Sequence, residues 1–190
     1  PGLLVFNMFA ECVNRAAGLV VQNPNYVKKV VFPLELLVLP VIVSAAAQFL
    51  IGFSLWLVLV ALIQGGVSWS VLLAPLYLAP FMIMIAGLCW ILAALGVYFR
   101  DLTSLIPLLT QALMFLSPVL YPISNVPQDI RPLLYLNPLT LVVEAVRGIG
   151  LHGQASMFSG FFAYAVCAMV MAWVGIRVFN ALRPGFADLV

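Results

Sequence analysis

The sequence predicts an all-α integral membrane protein, a bundle of about five spans. Three observations predict it. Of 190 residues, 65% are hydrophobic and only 7% are charged, whereas an ordinary soluble domain carries about a quarter charged residues. No Asp, Glu, Lys or Arg falls between Glu35 and Arg100, a stretch able to cross a hydrocarbon core of about 30 Å more than once. The apolar sequence also divides, at polar or glycine-rich breaks, into five segments of about 20 residues or longer. Together these features exclude a soluble globular protein. The formal net charge of +2 is too small to suggest a nucleic-acid partner.

In chain order the segments cover residues 2–21, 36–63, 69–97, 102–121 and 155–176. Between the second and third stands Gln64-Gly65-Gly66-Val67-Ser68, whose paired glycines end a helix at little cost. Trp69 follows where an interfacial aromatic belongs. Pro40, Pro75, Pro80 and Pro107 lie inside spans, and each is expected to remove a backbone hydrogen bond and bend its helix. Cys12, Cys89 and Cys167 sit in apolar stretches without metal-ligand spacing, where thiols behave as small hydrophobes. No internal repeat or low-complexity linker divides residues 1–190, which read as a single transmembrane domain.

Basic residues set the orientation. If the five segments alternate, Lys28, Lys29, Arg100, Arg177 and Arg183 share one face, which is then cytoplasmic. The connection before the last span balances Arg131 and Arg147 against Asp129 and Glu144, as an external loop can. Pro1 then begins outside. A cytoplasmic N-terminus needs one more span before it, six in total, so the sequence is expected to be N-terminally truncated by that span.

In the first span Asn7, Glu11, Asn14, Arg15, Gly18 and Gln22 recur at helical spacing on one face. This polar stripe either lines a polar path or buries a Glu11–Arg15 pair, at i,i+4, against another helix; the residues alone leave both open. In the first connection Asn23 is placed to N-cap a helix, with Pro24 at its first position and Pro33 stopping it roughly two and a half turns later. On physics alone this short basic helix serves topology and lipid contact through Lys28 and Lys29 rather than docking on a cytoplasmic partner. At the next cytoplasmic turn Arg100 and Asp101 form an adjacent ion pair, with Asp101 expected to cap the following helix.

The external segment 121–154 is punctuated by Pro122, Pro127, Pro132 and Pro138 yet is too apolar for a free loop. Asn137-Pro138 can cap a helix too short to span, carrying Glu144 and Arg147 at i,i+3, so a re-entrant or interfacial hairpin is expected. It either closes the external mouth of a path or is a structural plug in which Glu144 and Arg147 pair. The sequence holds no GxxxxGK[ST], HExxH or GxSxG motif, and His152 is the only histidine. No catalytic residue, metal site or cofactor-binding residue is expected, and any energy input has to come from another subunit.

Four stretches taken in order carry a family resemblance: NPNYVKKVVFPLELLVLP at 23–40, GVYFRDL at 96–102, SPVLYP at 117–122, and LYLNPLT followed by Glu144 and Arg147. They resemble the type 2 ABC-transporter permeases that export lipid-linked polysaccharide such as O-antigen, capsule and teichoic acid. The resemblance runs from about Glu11 to the last span. It implies that Asn25, Tyr26, Val27, Lys28, Lys29 and Val30, closed by Phe32 and Pro33, form a coupling helix that docks on a separate ABC-type ATPase. That implication reverses the preference for a purely topological helix. It further implies external re-entrant helices within 124–153 and two permease copies enclosing one channel. ATP and Mg would be bound by the partner ATPase rather than by this chain. The location implied is the bacterial cytoplasmic (inner) membrane, and the substrate a glycan on an undecaprenyl-diphosphate carrier. Asn7, Glu11, Asn14, Tyr121 and Tyr135 are the candidates for lining its path.

Two rival readings are weaker. A gradient-driven secondary transporter needs an intramembrane coupling carboxylate and usually a repeat, and only Glu11 answers. A membrane-embedded transferase acting on polyprenyl-linked sugars would gather acidic groups at one interface, whereas Asp101, Asp129 and Asp188 sit on separate connections.

Overall fold

The computed structural model describes residues 1–28, 33–64, 69–129, 131–135, 137–152 and 158–186. Its elements are α1 (Gly2–Ala16), α2 (Pro24–Lys28), α3 (Val38–Gln64), α4 (Ala74–Tyr98), α5 (Leu102–Leu116), α6 (Arg131–Tyr135), α7 (Pro138–His152) and α8 (Phe158–Leu182). Short 3-10 turns stand at Leu34–Leu37, Trp69–Leu73, Ile123–Asn125 and Arg183–Gly185. There is no strand among the described residues. With 27, 25 and 25 residues, α3, α4 and α8 are long and apolar enough to cross a membrane. α5 is an apolar helix of 15 residues, and α1 also has 15. The protein is an all-α membrane bundle.

Side-chain contacts fix the direction of each helix. The Tyr77 and Phe161 rings meet at 5.5 Å, Gly87 lies against the Met171 backbone, and the Tyr98 hydroxyl donates to the Leu182 carbonyl at 3.0 Å. All three pairs share the offset of 84 residues, so α4 and α8 run parallel in constant register along their length. α1 is parallel to α4, with Phe9 stacked on Phe81 and Ala17 seated on Gly96. It is antiparallel to α3, through Leu4 against Gly52 and Glu11 against Gln48. It is antiparallel to α5 as well, through Asn14 against Thr110 and Gly18 near Thr103. Thus α1, α4 and α8 run one way and α3 and α5 the other, as five alternating spans require.

The main core lies where α1 meets α3, α4, α5 and α7; Val5, Phe6, Phe9, Cys12, Val13 and Ala16 are α1's contribution. Three glycines allow the closest crossings. A Cβ on Gly87 or Gly175 would overlap the backbone of the facing helix, and one on Gly96 would overlap the Ala17 carbonyl. Helices without a hydrophobic drive between them gain from such close van der Waals approach.

Several expectations need correction. Regular winding of α1 ends at Ala16 rather than Val21 and loosens into turns through Gln22, with Leu19 bonded to Ala16 and Gln22 to Gly18. Gly18, an unfavourable residue in a helix interior, and the close seat of Ala17 on Gly96 mark that point. α5 ends at Leu116 rather than Tyr121, because Pro118 biases Ser117 towards the extended conformation it adopts (φ −101°, ψ 149°). Pro40 and Pro75 fall in the first turns of α3 and α4, where a backbone N–H has no i−4 partner to lose, so only Pro80 and Pro107 interrupt a helix interior. Asp101 has helical dihedrals and makes no capping bond. Arg100 and Asp101 are exposed and form no ion pair with each other; instead the Thr103 hydroxyl donates to the Arg100 carbonyl at 2.9 Å. The glycine break at 65–68 lies outside the described residues.

Candidate functional site

Three polar constellations stand out from the apolar bundle, one along α1 and one at each end. Along α1, Glu11 Oε1 accepts from Arg15 Nη1 and, across the helix pair, from Gln48 Nε2, each at 3.1 Å. Asn7, Arg15 and Gln48 are exposed, Glu11 is half-buried, and a cavity of about 100 Å³ opens between Asn7, Glu11, Ala45, Gln48 and Phe49. Glu11 and Arg15 pair, but at a surface rather than in a sealed interior. Asn14 lies on the α5 flank, where its Oδ1 is 3.0 Å from the Thr110 hydroxyl. That hydroxyl is also 2.9 Å from the Pro107 carbonyl, and its single proton serves one acceptor at a time. Gln48 was missed by sequence reasoning, although a lone amide in the middle of an apolar span is a usable signal.

At one end of the bundle, α7 is clasped to the segment that follows α5. Asn137 caps α7 as its sequence suggests: its Oδ1 accepts from the Leu139 N–H at 3.0 Å, while its Nδ2 donates to Ser117 Oγ at 2.7 Å. Arg147 pairs with Glu144 and donates to the carbonyls of Pro118 (3.0 Å), Val119 (3.1 Å) and Tyr121 (3.2 Å). Glu144 in turn accepts from the Ile123 N–H at 3.2 Å. The extended SPVLYP segment has no helical partners for these groups, so one guanidinium and one carboxylate supply them. Pro138 stands at the first position of α7. Tyr135 is exposed on α6 and Tyr121 is half-buried; the structure places both at this end, apart from Asn7, Glu11 and Asn14.

At the opposite end the first connection begins as expected, with Pro24 opening α2, but Asn23 turns its amide back to the Leu19 carbonyl at 2.8 Å. The site residues Asn25 and Tyr26 are exposed, and Val27 and Lys28 continue α2. Lys29, Val30 and Phe32 lie outside the described residues. Pro33 is extended and opens the turn into α3. Just after it, Leu34 enters a small core with Val20, Ala93, Val97, Phe179 and Phe186. Glu35 is held twice: Trp90 Nε1 donates to its carbonyl at 3.0 Å, and Arg183 Nη1 to its carboxylate at 3.0 Å. None of Glu35, Trp90 and Arg183 was legible as one cluster. A cleft of about 600 Å³ beside it is lined by Tyr98, Phe99, Arg100, Asp101 and Leu105. No group of acidic, histidine and cysteine side chains able to hold a metal occurs among the described residues.

Comparison with known proteins bears directly on these constellations. Residues 2–151 match the family model described as ABC-2 type transporter. The chain is 28% identical over 191 residues to the O-antigen export system permease protein RfbA of Myxococcus xanthus, covering 100% of this chain and 74% of that protein. It is 24% identical over 192 residues to the protein of the same name from Klebsiella pneumoniae, covering 100% and 73%. Against the polysialic acid transport protein KpsM of Escherichia coli it is 24% identical over 191 residues, covering 94% and 70%.

Proposed function

Since this chain belongs to the ABC-2 type transporter family, we propose that it is the transmembrane subunit of an ATP-driven exporter that moves polysaccharide of O-antigen or capsule type across the bacterial cytoplasmic membrane. The observation that carries this reading is similarity along the whole chain to permeases named for O-antigen export and polysialic acid transport. Family membership sets aside the gradient-driven and transferase readings. The chain is a multi-pass transport subunit and not an enzyme; hydrolysis of ATP with Mg belongs to a separate ABC-type ATPase. Two permease copies and two ATPases form the working assembly, and the glycan travels on a lipid carrier.

In this reading α2, with Lys28, Lys29 and Phe32, is the element that docks on the ATPase. Its position at the end where α1, α4 and α8 terminate supports that role. Asn7, Glu11 and Gln48 face outward within the span, where hydrocarbon is a costly neighbour for amides and ions, and this supports a place along a hydrated glycan path. Asn14, Tyr121 and Tyr135 are the further path candidates. Alanine at Asn7, Gln48 or Tyr135 is expected to lower surface glycan several-fold at unchanged protein level in membranes. Unchanged export would remove that residue from the path.

The docking role is tested by purifying the full-length protein in mild detergent and weighing the ATPase that accompanies it. Lys28→Glu, Lys29→Glu and Phe32→Ala combined are expected to cut that amount about tenfold or more, as loss of an aromatic anchor and reversal of two interface charges do elsewhere. If no ATPase accompanies the unaltered protein, the exporter assignment fails.

A further inference from the structure

We propose that Glu35 and Arg183 form a latch that passes displacement of α2 to the cytoplasmic end of α8, making both of them positioning residues for energy coupling. The proposal rests on the reading of α2 as the ATPase-docking element. Its own support is geometric. Downstream of α2, Leu34 and Glu35 are fixed to the bundle. Leu34 is buried among side chains of α4 and α8, and the Glu35 backbone is tied to α4 by the Trp90 indole. The Glu35 carboxylate reaches the turn that follows α8, 148 residues further along the chain, through Arg183. That turn is itself coupled to α4 by the Tyr98 hydroxyl on the Leu182 carbonyl and by the Phe186 ring, which meets Tyr98 and Phe179 edge-on.

The carboxylate is not fully satisfied. Among the described residues, Glu35 Oε2 is buried and has no hydrogen-bond partner, while Arg183 Nη1 donates to Oε1. A buried acceptor left open costs stability unless another donor reaches it. The contact is therefore of the kind that can exchange donors when α2 is displaced.

The test uses the full-length permease with its ATPase in membranes, carrying Glu35→Arg, Arg183→Glu, or both. Three quantities are read: ATPase retained on purification, ATP hydrolysed, and glycan exported per ATP. Each single reversal is expected to keep the ATPase bound and hydrolysing while export per ATP falls about tenfold, the scale of an ordinary coupling energy. The double reversal is expected to restore it. Glu35→Gln keeps the shape, Arg183→Gln removes the charge without reversing it, and both are expected to uncouple with an unchanged melting temperature. The latch is overturned if the double variant is no better than the singles, or if export in every variant merely follows the amount of folded complex. An unaltered protein that brings down no ATPase overturns the docking reading itself, a different result from failed rescue.

Discussion

Replacing Arg147 with alanine is expected to destabilise the protein by about 3 kcal/mol or more, the scale found when one partner of a largely buried ion pair is removed. Its side chain is 14% exposed and that of Glu144 19%, so water does little to replace what is lost. The substitution strips hydrogen bonds from the carbonyls of Pro118, Val119 and Tyr121 and leaves the Glu144 carboxylate with the Ile123 N–H alone. Thermal melting of the purified protein in detergent measures the loss. Glu144→Gln should be milder, because an amide oxygen still accepts from Ile123 and Arg147 keeps its three carbonyls. The combined change Arg147→Met and Glu144→Leu should be less damaging than Arg147→Ala, because no lone charge remains buried. Equal melting temperatures for Arg147→Ala and the unaltered protein would show that the clasp contributes nothing to the fold.

A methyl group at Gly96 or Gly175 is expected to be nearly as disruptive, although each change adds a single carbon. The new Cβ would overlap backbone of the neighbouring chain segment, Ala17 in one case and Gly87 in the other, and backbone cannot move aside as the end of a flexible side chain does. The helices must part, and contacts along α1–α4 or α4–α8 are lost with them, at or above the upper end of the ~1–3 kcal/mol usual for overpacking. Gly160→Ala supplies the control, since its Cβ would meet only the Leu141 side chain at 3.9 Å. We expect Gly96→Ala and Gly175→Ala to accumulate poorly in membranes and Gly160→Ala to accumulate normally. Normal accumulation of all three would mean that the close crossings are not needed.

The sequence made the helices legible but not their neighbours. Apolar length revealed α3, α4 and α8, and Asn137-Pro138 located the start of α7 because capping is a local property. The same kind of local signal failed at Asn23 and Asp101. Asn23 has an alternative acceptor in the Leu19 carbonyl one turn back, and Asp101 adopts helical dihedrals that do not suit a capping side chain. The Glu11–Arg15 and Glu144–Arg147 pairs could be read from spacing, since three or four residues bring side chains together on any helix. Glu35 with Arg183, and Glu11 with Gln48, could not. Their pairing depends on which helices adjoin, and near-uniform apolar faces carry little information about neighbours. The glycines at 87, 96 and 175 likewise read as ordinary members of apolar runs until the crossing helices are seen.

The parallel course of α1, α4 and α8 has an electrostatic consequence. Three helix C-termini gather at one end, each bearing a partial negative charge of roughly half an electron from its unpaired carbonyls. α3 and α5 bring only two N-termini of opposite sign to the same end. Arg183, just past the end of α8, stands where it offsets part of this surplus, at a typical gain of ~0.3–1 kcal/mol. Arg183 also belongs to the basic set that the positive-inside rule would turn to the cytoplasm. Topology and helix-end compensation are therefore written in the same residue, so an inverted insertion would violate the charge rule without relieving the dipoles of their need for that cation.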